Sequence, residues 1–171
     1  MGNERDDDIL PDDEDSTLSA LADAVRPEPP PPELRQRLLG RLRSEHRYDL
    51  FCHEVSEAFA VPEDVVRESF ARIHDDGAWQ PGGKLGGTSL IAPALTRANV
   101  VIARIPPGTR IPKHDHKGIE QTYVLDGAIV EEGSRTLTAG HLLVVGPGHE
   151  HALKVVGDEP CLVVFAASRE G

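Results

Sequence analysis

The chain has 171 residues, 39% hydrophobic and 27% charged, with a formal net charge of −11 and two cysteines. That length holds one domain with its own hydrophobic core plus an extra segment, and no run of about 18 apolar residues offers a membrane-spanning helix. The acidic balance repels phosphate backbones and anionic lipid, which excludes direct nucleic-acid binding and membrane docking and favours a basic protein as partner.

Residues 1–16, MGNERDDDILPDDEDS, are dominated by acids and predict a disordered tail. The tail lacks the apolar stretch of a secretory signal, and Cys52 and Cys161 form no CxxC pair, so a cytoplasmic protein without a disulfide framework is expected. TLSALADAVR (17–26) predicts a short helix with Ser16 or Thr17 as its N-cap. Pro27-Glu28-Pro29-Pro30-Pro31-Pro32 predicts a stiff polyproline II spacer. Residues 1–32 are thus tail and linker.

From Glu33, ELRQRLLGRLRSEHRYDLFCHEVSEAF reads as helix: Leu34, Leu38, Leu39 and Leu42 recur at helical spacing, and Tyr48, Phe51, Val55 and Phe59 continue the stripe. A second helix opens at Pro62 and buries Val65, Val66, Phe70 and Ile73. Residues 33–76 form a helical segment and 77–171 a β domain. There VVIARI (100–105), QTYVLDG (121–127), AIVEEG (128–133), RTLTA (135–139), HLLVV (141–145), HALKVV (151–156) and CLVVFAA (161–167) read as strands. Their short, even spacing is that of an antiparallel sandwich or barrel.

Five of the eight histidines lie between positions 114 and 151. Residues two apart in a strand share a face, so His114 and His116 project together. Gly118 permits a bend that returns the Glu120 carboxylate to the same space, and His151 opens a later strand that the fold can bring alongside. Three imidazoles and a carboxylate suit one divalent transition metal, with zinc, iron, manganese and nickel all compatible. Four donors leave positions open for water or a small ligand, whereas a structural zinc site would more often be closed by thiolates.

These stretches resemble the cupin family. Gly108-TRIPK-His114-Asp115-His116-KGI-Glu120-QTYVLD-Gly127 matches the motif G-x5-H-x-H-x3-E-x6-G at every fixed position. Gly140-HLLVVGP-Gly148-HE-His151 matches the second motif, except that Gly146 stands where the motif has proline and Val155 where it has asparagine. The resemblance implies that His114, His116, Glu120 and His151 are metal ligands. It also implies a mainly β fold: a single closed cupin barrel (a jelly roll or double-stranded β-helix) after a short helical segment and a disordered acidic N-terminus. A homodimer is implied as well. Around the ligands, Thr122 and Val124 share the face of Glu120 and are expected to line the cavity; His149 shares parity with His151 and is expected to be an exposed turn histidine, with the mouth of the site as the alternative. Tyr123, Cys161, His141 and Asp115 are expected to be structural or solvated. The spacing of His46, Cys52 and His53 fits no zinc pattern.

The barrel segment is most similar to the cupin domains of ChrR-type anti-sigma regulators, through the proline-rich break before ELRQRLLGRL, through Trp79 and Gly82-Gly83, and through the phrase PPGTRIPKHDHKGIEQTYVLDG. That likeness implies a regulatory or sensor protein whose helices relay a metal, oxidant or small-ligand signal to a sigma factor or another basic protein. The HxxxCxxC zinc motif of those regulators is not in this chain. The alternative is a metal-dependent cupin oxygenase, dioxygenase-like, acting on a small oxygenated substrate. No catalytic residue beyond the metal site is identified at this stage.

Overall fold

The structure, a computed structural model, describes residues 29, 31–42, 44, 46–82 and 87–167. The acidic tail, the helix expected over 17–26 and most of the proline spacer lie outside them. The chain divides into two units between Leu39 and Gly40. Helix α1 (Pro32–Leu42) crosses that division. Pro32 at its first position and Glu33 in its first turn suit the exposed N–H groups there. Leu34, Leu38 and Leu39 on it are exposed.

The long helix expected over 33–59 is broken. Tyr48 and Arg47 turn toward a distant strand residue, Asp126, whose carboxylate accepts from Arg47 Nη2 at 3.0 Å and from the Tyr48 hydroxyl at 3.2 Å. The chain makes a turn there and a short 3₁₀ stretch (Asp49–Phe51) before helix α2 (Cys52–Phe59). Helix α3 (Glu63–Ala71) starts after Pro62 with Glu63 and Asp64 in its first turn, where carboxylates are favoured. A short helix α4 (Pro93–Arg97) follows further on. Among the described residues no helix is long and apolar enough to cross a membrane.

Among the described residues there are ten strands: β1 (Trp79–Gly82), β2 (Gly87–Leu90), β3 (Val100–Ile105), β4 (Arg110–Asp115), β5 (Glu120–Asp126), β6 (Ala128–Glu131), β7 (Thr136–Thr138), β8 (Leu142–Val145), β9 (Glu150–Val156) and β10 (Cys161–Ala167). They form a six-stranded sheet in the order β1-β2-β3-β10-β5-β8 and a four-stranded sheet in the order β4-β9-β6-β7. The chain alternates between the sheets, and side-chain parity sorts the residues into two cores. One face of the six-stranded sheet (Val100, Ile102, Tyr123, Leu125, Leu162, Val164) packs on the helices through Tyr48, Cys52, Val55, Val66 and Phe70. The opposite parity (Ile105, Val124, Val163, Leu143, Val145) packs on Ile129, Leu137, Leu153 and Val155 of the four-stranded sheet.

The expectation of a mainly β, single closed cupin barrel is therefore corrected. The fold is mixed α/β with two open sheets, and among the described residues no ladder joins one sheet to the other. The corners supply the reason. Between β3 and β4 stand Pro106 and Pro107, which carry no N–H to extend a ladder. Between β5 and β6 stands Gly127, at φ +79°, where an added Cβ would lie 3.0 Å from Cys161 Cα. The chain crosses between layers at these points, and apolar side chains bridge the sheets. Helices α2 and α3 are not an appendage, because their apolar faces cover one side of the larger sheet.

Candidate metal centre

Strand β4 pairs with β9 so that His114 stands directly opposite His151, after an irregularity between Ile111 and His114. His116 lies just beyond β4. Its backbone is held to the β8–β9 turn by a hydrogen bond from Gly148 N–H to its carbonyl, 3.1 Å long, with Gly148 at φ +77°. Glu120 opens β5 in the other sheet. The imidazole ring centroids are 4.6 Å (His114–His116), 4.7 Å (His116–His151) and 4.9 Å (His114–His151) apart. Around Glu120, Oε2 lies 3.5 Å from His116 Nδ1 and 3.9 Å from His114 Nε2, and Oε1 lies 3.6 Å from His151 Nε2. One donor atom from each of the four residues falls within 4.8 Å of the others.

The donor set fits a divalent metal. His116, Glu120 and His151 are buried, and His116 Nε2 and both nitrogens of His151 have no hydrogen-bond partner among the described residues. Orphaned buried nitrogens cost free energy unless something satisfies them, and a cation among three imidazoles and a carboxylate would take up one nitrogen of each ring. The His114 tautomer is set by its backbone: Nδ1 lies 2.8 Å from the Pro112 carbonyl, which can only accept, so Nδ1 carries the proton and Nε2 faces the cluster. Burial lowers the His151 pKa below its ordinary value of 6.5, with the Glu120 charge acting in the opposite direction. The neutral ring favoured by that burial is the form that ligates metal.

Two openings reach the cluster. A cavity of about 410 Å³ touches His114, Glu120 and Thr122, and its other walls are largely apolar, with Val101, Ile105, Ile111, Leu153, Val163 and Phe165 among them. A second cavity, of about 500 Å³, reaches His151 past Glu131, Glu132, His149 and Glu150. Thr122 thus lines the first cavity, but Val124 does not: it is wholly buried between the sheets. His149 lies at the second opening, its ring 6.3 Å from that of His151. His141 holds a turn through contacts with Thr138, Asp115 is exposed, and Cys161 is fully buried. Tyr123 packs edge-on against Phe51. Among the described residues His46, Cys52 and His53 join no donor cluster.

One residue beside the site escaped the sequence reading. Glu131 is buried at the end of β6, with Oε1 3.4 Å from His151 Nδ1, long for a hydrogen bond. Its signal was parity: Ile129 and Glu131 occupy the two inward positions of β6, and an acid at an inward position needs a partner.

Residues 101–166 match the family model described as the cupin domain. Over this segment, less than half of the chain, the protein is similar to the cupin family. Within the curated proteins the chain is 36% identical over 61 residues to a putative dimethylsulfoniopropionate lyase DddL of Cereibacter sphaeroides, covering 35% of this chain and 26% of that relative. Among solved structures the chain resembles Rhodobacter sphaeroides SigE in complex with the anti-sigma ChrR, with 19% identity, 90% of this chain and 76% of that chain covered, and a TM-score of 0.49. A protein with a cupin-like fold from Ralstonia eutropha gives 27% identity over 41% of this chain and 46% of that one, TM-score 0.39. KdgF from Halomonas sp. gives 24% identity over 42% and 69%, TM-score 0.35. The ChrR likeness stands as one among several distant cupin likenesses.

Proposed function

We propose that the protein is a metal-dependent enzyme of the dioxygenase-like kind, acting on a small oxygenated substrate with an apolar body. His114, His116, Glu120 and His151 would hold one divalent metal. When bound, the metal would supply a Lewis acid for a substrate oxygen, with positions left open for small ligands. The observation that carries this reading is that His114 and Glu120 open into the cavity of about 410 Å³ with its apolar walls. Those walls would bind the substrate body and exclude water, and the Thr122 hydroxyl would meet a polar substituent near the cluster. Pro112 holds the His114 ring in place through its carbonyl. Among the described lining residues His114 and Glu120 belong to the cluster, so the reaction would be centred where the cavity meets them.

The test is to load the protein separately with iron, manganese, nickel and zinc and to measure oxygen uptake with phenolic and diketone substrates. A redox-active ion is required for oxygen chemistry, so zinc should be inactive. Uptake that His114→Ala and His116→Ala abolish supports the reading. The relative named as a lyase supplies the contrast: cleavage of dimethylsulfoniopropionate without oxygen uptake would replace oxygenase with lyase chemistry, and a metal-loaded protein inert toward the whole panel counts against an enzyme.

A regulatory reading is favoured by a separate observation. Leu34 and Leu38 lie one turn apart and exposed on α1, an apolar pair that suits docking of a protein partner such as a sigma factor. Affinity purification from the native host tests it, and recovery of no such protein ends it.

A further inference from the structure

We infer that Glu131 is a positioning residue for His151: it accepts a hydrogen bond from Nδ1–H and so holds the lone pair of Nε2 toward the other three donors. The inference rests on the metal-binding reading of the cluster.

The backbone places Glu131 firmly. Its N–H donates to the Arg135 carbonyl at 2.8 Å and its own carbonyl accepts from Ser134 at 3.0 Å, closing the turn between β6 and β7. Across the ladder it stands opposite Leu153, which puts it diagonal to His151 on the same inward face of β9. Such diagonal neighbours lie about 7–8 Å apart, within reach of a long side chain. The Glu131 carboxylate spans that gap, with Oε1 3.4 Å from His151 Nδ1 and Oε2 3.5 Å from Arg135 Nε. His151 Nε2 points the other way, 3.6 Å from Glu120 Oε1.

Parity shows why this is more than packing. The other inward residue of β6 is Ile129, in the apolar core between the sheets. A carboxylate beside it, without Arg135 and His151, would be a buried unpaired charge. An imidazole has two tautomers, and only the one with its proton on Nδ1 leaves Nε2 able to ligate. The Pro112 carbonyl makes that choice for His114; Glu131 makes it for His151. Ligating histidines commonly give their second N–H to a carboxylate or carbonyl in this way, and loss of that partner costs about 10–100-fold in metal affinity.

The test compares the parent with Glu131→Leu and Glu131→Gln. Leucine fills the volume and removes the acceptor, whereas the glutamine carbonyl still accepts from Nδ1–H. Competition with a chelator for Zn²⁺ or Co²⁺, at a temperature where both variants are folded, should show Glu131→Leu binding about 10–100-fold more weakly, with Glu131→Gln restored close to the parent. Long-range proton–nitrogen NMR of the metal-free parent at pH 8 should show His151 with its proton on Nδ1, and Glu131→Leu a mixture. A Glu131→Leu protein that binds metal as the parent does, or a parent His151 protonated on Nε2, would overturn the inference. If the parent binds no metal, the metal reading falls, and the NMR measurement on the parent still decides the role of Glu131.

Discussion

His151 Nε2 lies 3.6 Å from Glu120 Oε1, although the two side chains belong to different sheets, β9 in the four-stranded and β5 in the six-stranded. With no ladder between the sheets among the described residues, an ion held by Glu120 on one side and by His114 and His151 on the other would tie the layers together. Metal at 100 times its Kd should add about 2.7 kcal/mol, a Tm rise of roughly 10 °C. Thermal melts with and without a chelator check this. Glu120→Ala should abolish the rise, because it removes the only donor of the set that β5 contributes.

Acidification should weaken the metal-free protein through His151. In the unfolded chain this imidazole takes up its proton near its ordinary value of about 6.5, and in the folded protein only at lower pH, because burial disfavours the charged ring. Over that interval the unfolded state binds more protons. The stability is thus fully present above about pH 6.5 and falls as pH drops toward the folded value. Melts of the metal-free parent and of His151→Gln between pH 7.5 and 5.5 should show the larger loss in the parent. Equal losses would remove His151 from the account.

Both thiols should be inert in the folded state. Burial pushes the Cys161 thiol to about 12 and that of Cys52 to about 11, and the thiolate is the reactive form. Iodoacetamide at pH 8 should label neither cysteine until denaturant is added and both afterwards, as read by mass spectrometry. Rapid labelling of either in the folded protein would contradict the packing described.

Filling the apolar cavity should separate binding of the ion from binding of the substrate. Ala103 lines that cavity without touching the donor cluster. Ala103→Phe should cost about 1–3 kcal/mol through overpacking, leave metal affinity within a factor of two or three, and abolish turnover of any substrate found. Metal content and substrate kinetics on the same preparation check it. Unimpaired turnover would place the substrate elsewhere.

Much of this was legible in the sequence. β3 and β10 match the expected strands residue for residue, because their apolar runs are bounded by turn residues. The sequence pattern also singled out the four side chains that the structure clusters. By contrast, β4 has no apolar alternation: Pro112, Lys113 and Asp115 sit among its residues, as an edge strand tolerates. The turn at Arg47 and Tyr48 was hidden in a stripe of helical period, since the partner that draws both residues out of a helix, Asp126, lies 79 and 78 positions away.

Motif spacing in the chain is enough to single out the residues that the structure clusters: His114, His116 and Glu120 are near neighbours, and His151 is reached through the resemblance of its stretch to the second cupin motif. Whether the sheets close, that helices cover one of them, and that Glu131 reaches His151 depend on contacts between residues far apart in sequence. Those contacts follow from which layer each corner sends the chain into and which faces must leave water. Only packing in three dimensions decides that.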